Sequence, residues 1–366
     1  MLKTELTHTL KIRYPIFQAP MAGGPTTPDL IAAVSNAGGL GNLGAGYLTP
    51  EQLRSTIQEI RQLTDRPFGV NLFVPEQPIE SEETIRQMTD HLNKYRVKLG
   101  IAQNPLIQKI SDSFEEQVQV LLEENIPVFS FTFGIPPQDV IQAMKQRGTV
   151  VIGTATTVEE AKQLEVAGVD AIVAQGSEAG GHRGTFLNNI VDSQIGTLAL
   201  VPQIVDHVSI PVIASGGIMD GRGLVASLTL GAAAVQMGTA FLACPESGAH
   251  AAHKQKILSE NEDTTVITRA YSGKVARGIR TEFMNDMHHY PGTIPSYPIQ
   301  HEMTKDIRQA AAKANNPEYM SLWAGQGLRL ASDDNAAAIV KRTINEASVL
   351  VKRISILGMV DDLGSS

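Results

Sequence analysis

The sequence is poor in the features that would place it outside the ordinary globular class. It has one cysteine, Cys244, in 366 residues, so a disulfide scaffold is excluded. No apolar run reaches the roughly 18 residues that a membrane span needs. The first residues carry no charged-then-apolar pattern of a secretion signal. We therefore expect a cytoplasmic protein that does not enter a membrane.

Aromatic residues are also scarce, at 5%, and basic residues are outnumbered by acidic ones, which gives a net charge of −8. An acidic chain has no general attraction for nucleic acid or anionic lipid. Hydrophobic residues make up 42% of the chain, too many for a disordered protein. The composition predicts a globular protein that acts on small molecules.

Short apolar runs recur along the chain, and each is followed by a stretch with helical spacing. The runs are almost continuously apolar, as expected for parallel strands that are buried on both faces. They predict eight strands, which are Ile16–Pro20, Gly39–Ala45, Phe68–Val74, Val128–Phe133, Thr149–Thr154, Ala171–Gln175, Pro211–Ser215 and Ala234–Thr239.

Eight strands with intervening helices predict an α/β protein with a (β/α)₈ barrel, the TIM-barrel fold. A doubly wound open sheet is the alternative. It is disfavoured because the first strand-to-helix turn carries no G-x-G-x-x-G motif and because glycine-rich turns follow many strands. Two further helices are predicted near the end of the chain, at Tyr319–Leu330 and Asn335–Ile356.

The stretch after the eighth strand is much less regular than the barrel repeat. It contains a basic patch and an extended loop, which are Lys274, Arg277, Arg280 and His288–Pro298. We interpret residues 247–318 as a small inserted domain or lid. The barrel is then built from residues 1–246 and 319–366.

The turns after the seventh and eighth strands predict a phosphate site. Barrels often bind phosphate with these two loops, and glycine lets backbone N–H groups approach the anion closely. The two turns are Ser215-Gly216-Gly217 and Gly238-Thr239, with the Thr239 hydroxyl as a further donor. Either turn alone could simply reverse the chain, but their joint occurrence favours phosphate.

Amide side chains recur at or near the strand ends, at Gln18, Asn71, Gln175 and Gln236. An inward-facing amide without a partner costs about 1–3 kcal/mol. A flat heterocycle with several donors and acceptors would satisfy such amides, and flavin mononucleotide (FMN) combines that ring with a single phosphate. Hydrogen bonds to neighbouring loops are the alternative for each amide.

His182 is the leading candidate for catalysis, since it lies in a glycine-rich loop at the end of the sixth strand. A histidine beside a flavin can act near neutral pH as a base or a hydrogen-bond donor. The neighbouring Arg183 could hold a substrate carboxylate or pair with a local acid. The loop could also be purely structural, but its position at a strand end favours catalysis.

The remaining histidines and the cysteine point to no metal or nucleophile. His250 and His253 share a helix face without a third ligand, and we interpret them as a solvated face rather than a metal site. The pair His288-His289 could reach the site from a lid, whereas His301 gives no indication of a role. Cys244 is expected to be a small buried residue.

Taken in order, the motifs resemble those of the nitronate monooxygenases, formerly called 2-nitropropane dioxygenases, and in particular the bacterial class I type. The resemblance covers nearly the whole chain. It is carried by QAPMAGG at 18–24, VN at 70–71, QGSEAGGHRG at 175–184, ASGGI at 214–218, QMGTAF at 236–241 and WAGQG at 323–327. No single motif is specific, but the ordered set is.

The resemblance implies an FMN-containing barrel with a small second domain and His182 as the catalytic histidine. It also implies a set of residues that contact FMN, with the first two lying near the ring: Met21, Ala22, Asn71, Gln175, Gly180, Gly217, Gln236, Met237, Gly238 and Thr239.

The implied reaction oxidises an alkyl nitronate with O₂ to a carbonyl compound and nitrite, beginning with transfer of one electron from the nitronate to FMN. His182 would orient the anionic substrate, or take the α-proton of a neutral nitroalkane. The expected biological substrate is the toxin propionate 3-nitronate, and the role is detoxification. No metal is required. The oligomeric state is left open, with a homodimer as one alternative.

Two other functions remain open at this point. FMN-dependent enoyl-[acyl-carrier-protein] reductases and NAD(P)H:quinone reductases carry similar glycine and histidine motifs on the same barrel. They need a nicotinamide donor, and Arg183 and the segment Trp323–Gly327 favour the monooxygenase over them. A catalytically idle phosphate-ligand-binding barrel is the third alternative, against which the intact His182 loop argues.

Overall fold

The computed structural model describes residues 2–76, 78–105, 113–187 and 193–359. Its strands are β1 (Ile16–Gln18), β2 (Gly41–Gly44), β3 (Phe68–Phe73), β4 (Val128–Thr132), β5 (Val150–Ala155), β6 (Ala171–Gln175), β7 (Gly181–His182), β8 (Val212–Ser215), β9 (Ala234–Met237), β10 (Thr265–Thr268) and β11 (Ala276–Ile279). All eight predicted strands are therefore confirmed. Their ends differ from the predicted ones by at most two residues, mostly because the terminal residues already belong to the turns.

Eight of the strands form one parallel sheet in the order β1-β9-β8-β6-β5-β4-β3-β2. The two ends of this sheet meet at Leu40, which bridges to Phe17. The Leu40 N–H donates to the carbonyl of Ile16, and the Leu40 carbonyl accepts from the N–H of Gln18, both at 2.9 Å. The sheet thus closes on itself, and the predicted (β/α)₈ barrel is confirmed.

Helices cover the outside of the barrel. The described helices are α1 (Glu5–Thr9), α2 (Pro28–Ala37), α3 (Pro50–Leu63), α4 (Glu82–Lys98), α5 (Phe114–Glu123), α6 (Gln138–Gln146), α7 (Val158–Val166), α8 (Thr197–Val205), α9 (Gly221–Thr229), α10 (Thr239–Leu242), α11 (Ala251–Ser259), α12 (Glu282–His288), α13 (Ile299–Met303), α14 (Lys305–Lys313) and α15 (Ala336–Met359).

Local sequence explains where several of these helices begin. Thr49 caps α3, because its hydroxyl accepts from the Gln52 N–H while the Gln52 side chain accepts from the Thr49 N–H. Pro50 follows at the first helical position, where the missing N–H costs nothing. The Thr27 hydroxyl caps α2 by accepting from the Leu30 N–H at 3.1 Å. The strand-to-helix turns are therefore set by residues at the strand ends, where a barrel builds its site.

A second, antiparallel sheet lies beside the barrel, in the order β10-β11-β7. Its third strand, β7, comes from the loop after β6, and His182 pairs with Ala276 of β11. A separate hydrophobic cluster packs there, with Tyr271, Phe283 and Leu322 among its fully buried members. The region after β9 therefore reaches back over the barrel loops. The exact domain boundaries at residues 247 and 318 stay a prediction.

The predicted helix at Tyr319–Leu330 is wrong. The structure has only two 3₁₀ turns there, Pro317–Tyr319 and Leu328–Leu330. The backbone between them is used in tertiary hydrogen bonds instead: the Leu322 carbonyl accepts from Ile279, and the Gly325 N–H donates to Thr239. The predicted helix at Asn335–Ile356 is confirmed as α15 (Ala336–Met359).

Candidate active site at the carboxyl ends of the barrel strands

A large cavity of about 1730 Å³ opens at the carboxyl ends of the barrel strands. Residues at or just after the ends of β3, β4, β6, β8 and β9 line it, and the second sheet and helices α13 and α14 contribute the opposite wall. This volume exceeds that of most small-molecule sites. The cavity can therefore hold a cofactor and a small substrate together.

The structure brings nearly all the predicted site residues to this cavity. Those that line it are Met21, Ala22, Asn71, Gln175, Gly180, His182, Gly217, Gln236, Gly238 and Thr239. Met237 is the exception, because its side chain is fully buried in the barrel core and it does not line the cavity.

The two glycine turns lie on the wall of the cavity, as the sequence predicts. Gly216 and Gly217 have φ values of 118° and 71°, which side-chain-bearing residues rarely adopt. The Thr239 hydroxyl accepts the Gly325 N–H at 2.9 Å, so its own hydrogen is left to donate. The turns thus present glycine backbone and one hydroxyl, a surface suited to the phosphate of a cofactor.

The segment Trp323–Gly327, whose role the sequence does not explain, packs directly on the loop that carries His182. A Cβ atom at Gly180 would lie only 2.5 Å from the backbone nitrogen of Gly325. The Gln326 N–H also donates to the carbonyl of Glu178 at 3.0 Å. Glycine at position 180 is therefore explained by this close packing, which holds the His182 loop against the turn at Thr239.

The four amide side chains do not share one role. Gln18 is fully buried, and its oxygen accepts from the Asn42 N–H at 2.9 Å, so it is part of the core. Gln175 donates to the carbonyl of His182 at 3.1 Å and accepts from the Gly184 N–H at 2.8 Å. The interpretation that the amides meet a heterocycle is therefore wrong for Gln18.

The remaining two amides fit a ligand better. Asn71 donates from its NH₂ group to the hydroxyl of Ser130 at 3.0 Å, and none of its described bonds uses its oxygen. Gln236 lies on the cavity wall at the end of β9. Both side chains are placed where they could meet the polar edge of a bound ring.

The backbone and the side chain of His182 are both fixed by hydrogen bonds. Its backbone belongs to β7, and its Nε2 atom lies 2.8 Å from the hydroxyl oxygen of Ser272. Burial first, and then the charges of Lys274 and Arg308, together lower the pKa of the imidazole to about 3. The ring is therefore neutral in the physiological range, with one N–H donor and one lone pair.

Aromatic rings surround His182. The ring centroids of Trp323, Phe133 and Tyr297 lie 5.4, 5.9 and 6.1 Å from that of His182. These rings replace water around the imidazole, which explains the dominant desolvation effect on its pKa. Lys274 extends over Phe133, with Nζ 4.5 Å from the ring centroid, and pairs with Glu76.

Arg183 does not line the cavity. Its side chain is buried and donates to the carbonyls of Gln175 and Ser193. Burial lowers its pKa to about 10. Its position disagrees with the prediction that it could hold a substrate carboxylate, and among the described residues it forms no ion pair within 4.0 Å. Arg183 instead ties the His182 loop to the end of β6.

Sequence reasoning missed His301 and Arg308, which line the cavity from α13 and α14. His301 stacks on Tyr47, with centroids 4.6 Å apart, and burial lowers its pKa to about 2. His288 and His289 are exposed instead, and the loop reaches the cavity through Tyr297. In the sequence, the segment that carries His301 and Arg308 is indicated as a part of the site by its position after the last strand.

The prediction of a solvated face at His250 and His253 is wrong for His253. This ring is buried, with Nε2 3.0 Å from the carbonyl oxygen of Trp323, and burial lowers its pKa to about 4. His250 caps helix α11 through its Nδ1 atom. Among the described residues, no group of three or more His, Cys, Asp or Glu side chains is placed to hold a metal ion.

Cys244 is fully buried, as predicted, and burial raises the pKa of its thiol to about 11. Such a thiol is unreactive near neutral pH. None of the helices in the described part of the chain combines the length and the apolar character that a membrane span needs.

Fold and site together define a (β/α)₈-barrel enzyme. A neutral, desolvated histidine and two glycine turns share one cavity at the catalytic end of the barrel, where such enzymes carry out their chemistry.

Comparison with known proteins gives the family. The model of the nitronate monooxygenase family matches residues 3–346. A probable nitronate monooxygenase of Staphylococcus haemolyticus is 48% identical over 349 residues, covering 95% of this chain and 98% of that protein. One from Staphylococcus aureus is 49% identical over 354 residues, covering 96% and 99%. The chain therefore belongs to the nitronate monooxygenase family, a family of oxidoreductases.

Solved structures agree with this assignment. The nitroalkane oxidase of Streptomyces ansochromogenes matches with a TM-score of 0.90 and 40% identity, covering 95% of this chain and 99% of that one. FabK from Thermotoga maritima matches with a TM-score of 0.77 and 34% identity, covering 97% and 99%. Both likenesses extend over almost the full length of the chain.

Proposed function

We propose that the protein is an FMN-dependent nitronate monooxygenase that oxidises alkyl nitronates with O₂ to a carbonyl compound and nitrite. The observation that carries the proposal is the shared cavity of His182 and the two glycine turns. Family membership supports the reaction class. We further propose propionate 3-nitronate as the biological substrate, with a cytoplasmic detoxification role.

The residues of the cavity fit FMN. Gly217 and Gly238 leave room for a phosphate, and the Thr239 hydroxyl can donate to it. Asn71 and Gln236 are the amides available to the polar edge of the ring, and Met21 and Ala22 lie on the same wall. When bound, FMN supplies the electron transfer that no side chain in the cavity can perform.

Ser272 occupies the Nε2 atom of His182, so the tautomer decides what the Nδ1 atom offers the substrate. When the Ser272 hydroxyl donates to Nε2, the Nδ1–H is free to donate to a nitronate, which is a small anion. When the Nε2–H donates to Ser272, the Nδ1 lone pair can take the α-proton of a neutral nitroalkane. The nearby charge of Lys274 would stabilise the nitronate that results, because the ammonium and the nitronate would interact in low-dielectric surroundings.

The alternative is an NAD(P)H-dependent reductase. One observation favours this alternative, the likeness to FabK at 34% identity. The nitroalkane oxidase is more similar to this chain than FabK is, by both identity and TM-score. A reductase needs a nicotinamide to deliver electrons, whereas a nitronate monooxygenase takes them from its substrate, so the two functions can be separated in solution.

Oxygen uptake by the purified protein tests the proposal, after its visible spectrum has been recorded. One sample receives propionate 3-nitronate, and another receives NADH or NADPH alone. Oxygen consumption and nitrite release without a nicotinamide would support the monooxygenase. Bleaching of the flavin by the nicotinamide, with no response to nitronate, would overturn it in favour of the reductase. A protein purified without flavin, and unable to bind it, would support the idle barrel.

The lowered pKa of His182 predicts the pH dependence of turnover. Because the neutral form is the reactive one and the pKa is about 3, acid should protonate this ring far below the usual value near 6.5. kcat/KM for a nitronate should therefore show no His182 ionisation between about pH 5 and pH 8. An acidic limb with a midpoint near 6.5, present in the native enzyme and absent from His182→Asn, would contradict this.

A further inference from the structure

Arg308 is a cation on the cavity wall. Among the described residues, it forms no ion pair within 4.0 Å. The charges of Glu302 and Asp306 act on it, but both acids are engaged elsewhere: Glu302 pairs with Lys305 at 3.3 Å, and Asp306 pairs with Arg96 at 2.8 Å. Burial lowers the pKa of the Arg308 guanidinium, which shows how poorly the cation is solvated. A charge in such surroundings is costly unless an anion meets it.

The guanidinium is nevertheless held in one orientation. Its Nε donates to the Thr304 hydroxyl at 3.2 Å, and one Nη donates to the carbonyl of His301 at 2.8 Å. The same Nη lies 3.4 Å from the His301 Nδ1 atom. The other terminal nitrogen, Nη1, has no described partner, and Arg308 lines the cavity. Donors fixed in this way are suited to binding an anion from the cavity.

Arg308 and His182 serve the same part of the cavity. The His182 and Tyr297 rings are 6.1 Å apart, Tyr297 and His301 are 6.2 Å apart, and His301 contacts Arg308 directly. The charge of Arg308 also lowers the pKa of both histidines, which requires proximity to each. A short molecule with two anionic groups could therefore reach both side chains at once.

We propose that Arg308 binds the carboxylate of the substrate, and so selects short nitronates that carry a carboxylate on the carbon chain. The inference rests on the proposed function, because it places the nitronate group at His182. It adds a specificity-determining residue that comes from outside the barrel strands. Arg308 is a binding residue in this account and takes no part in the electron transfer.

Binding can be measured without turnover, by calorimetric titration of the purified protein with 3-nitropropionate and with 1-nitropropane, which lacks the carboxylate. The test variant is Arg308→Met, which keeps an unbranched apolar stem and removes the charge and the hydrogen-bond donors of the guanidinium. Loss of a hydrogen bond to a charged group should raise the Kd of 3-nitropropionate about 10- to 100-fold. The Kd of 1-nitropropane should change less than about threefold.

Two further variants serve as controls for the effect of Arg308→Met. Arg308→Lys keeps the charge and should lose less affinity than Arg308→Met, which excludes a folding defect as the cause. Arg329→Gln removes an exposed arginine that pairs with Glu262 at 2.7 Å and should change neither Kd. Equal weakening of both ligands by Arg308→Met, or no preference of the native protein for 3-nitropropionate, would overturn the proposal.

Oxygen uptake then separates this inference from the proposed function. With propionate 3-nitronate and propyl-1-nitronate as substrates, Arg308→Met should raise KM about 10- to 100-fold for the first alone. An unchanged ratio of the two KM values would overturn the role of Arg308 while leaving the reaction intact. Carboxylate binding that depends on Arg308, without oxidation of either nitronate, would overturn the proposed reaction alone.

Discussion

Replacing His182 by Asn is expected to leave the flavin bound and to lower turnover of nitronates at least about 10²-fold, the usual effect of losing an acid–base group. Asn is shorter than His and has no basic nitrogen, so it can neither reach the same point in the cavity nor take a proton. The fold should tolerate the change, because the loop is held through backbone atoms, the His182 carbonyl to Gln175 and the Arg183 N–H to Val275.

The measurement is kcat for propionate 3-nitronate together with the flavin content and the melting temperature of each variant. His207→Asn is the matched control, since this exposed histidine lies in the turn after α8 and its ring bonds to the carbonyl of Gln203. It should leave all three quantities unchanged. If the His182→Asn enzyme is fully loaded with flavin and has native turnover, His182 takes no part in the mechanism.

The barrel was predictable from the sequence because its strands are buried on both faces. An almost continuously apolar run such as Ala171–Gln175 is recognisable without knowledge of its neighbours. Once the strands are placed, the fold rule that sites lie at their carboxyl ends locates Asn71, His182 and Gly217 as well. These residues belong to the repeat itself, so local sequence is sufficient to find them.

The opposite wall was not predictable, because tertiary packing determines it. His301 and Arg308 belong to helices α13 and α14, which lie more than 100 residues after His182 in the sequence. Both residues line the cavity, but no local sequence pattern indicates this. His253 appeared solvated for the same reason, since its cover is supplied by Trp323 from a distant segment. Gln18 resembled a ligand contact but bonds within the core, to Asn42.

Replacing Gly217 by Leu is expected to abolish FMN binding. The residue lies on the cavity wall with φ of 71°, so its backbone is free to approach a phosphate that a leucine side chain would displace. An added Cβ would lie 3.3 Å from the Cβ of Glu178, close enough that the Glu178 side chain must shift. The measurement is the flavin-to-protein ratio from the visible spectrum after reconstitution with excess FMN.

Strain alone would also destabilise this variant, and Gly168→Leu controls for it. Gly168 has a φ of 85°, nothing lies within 4 Å of an added Cβ, and the residue does not line the cavity. Both substitutions should cost about 1–2 kcal/mol of folding free energy from the left-handed backbone. Gly168→Leu should therefore melt at a reduced temperature and keep its flavin, whereas Gly217→Leu should lose its flavin as well.

Gly238→Leu gives the same test without the strained backbone. Position 238 has a φ of −103°, which any residue adopts, and an added Cβ would meet nothing closer than the Cβ of Ala19 at 3.5 Å. The leucine should fit the fold but fill the space beside Thr239 where the phosphate is proposed to bind. Native flavin content in both Gly217→Leu and Gly238→Leu would refute the phosphate assignment, because two bulky side chains on that wall would then leave the cofactor undisturbed.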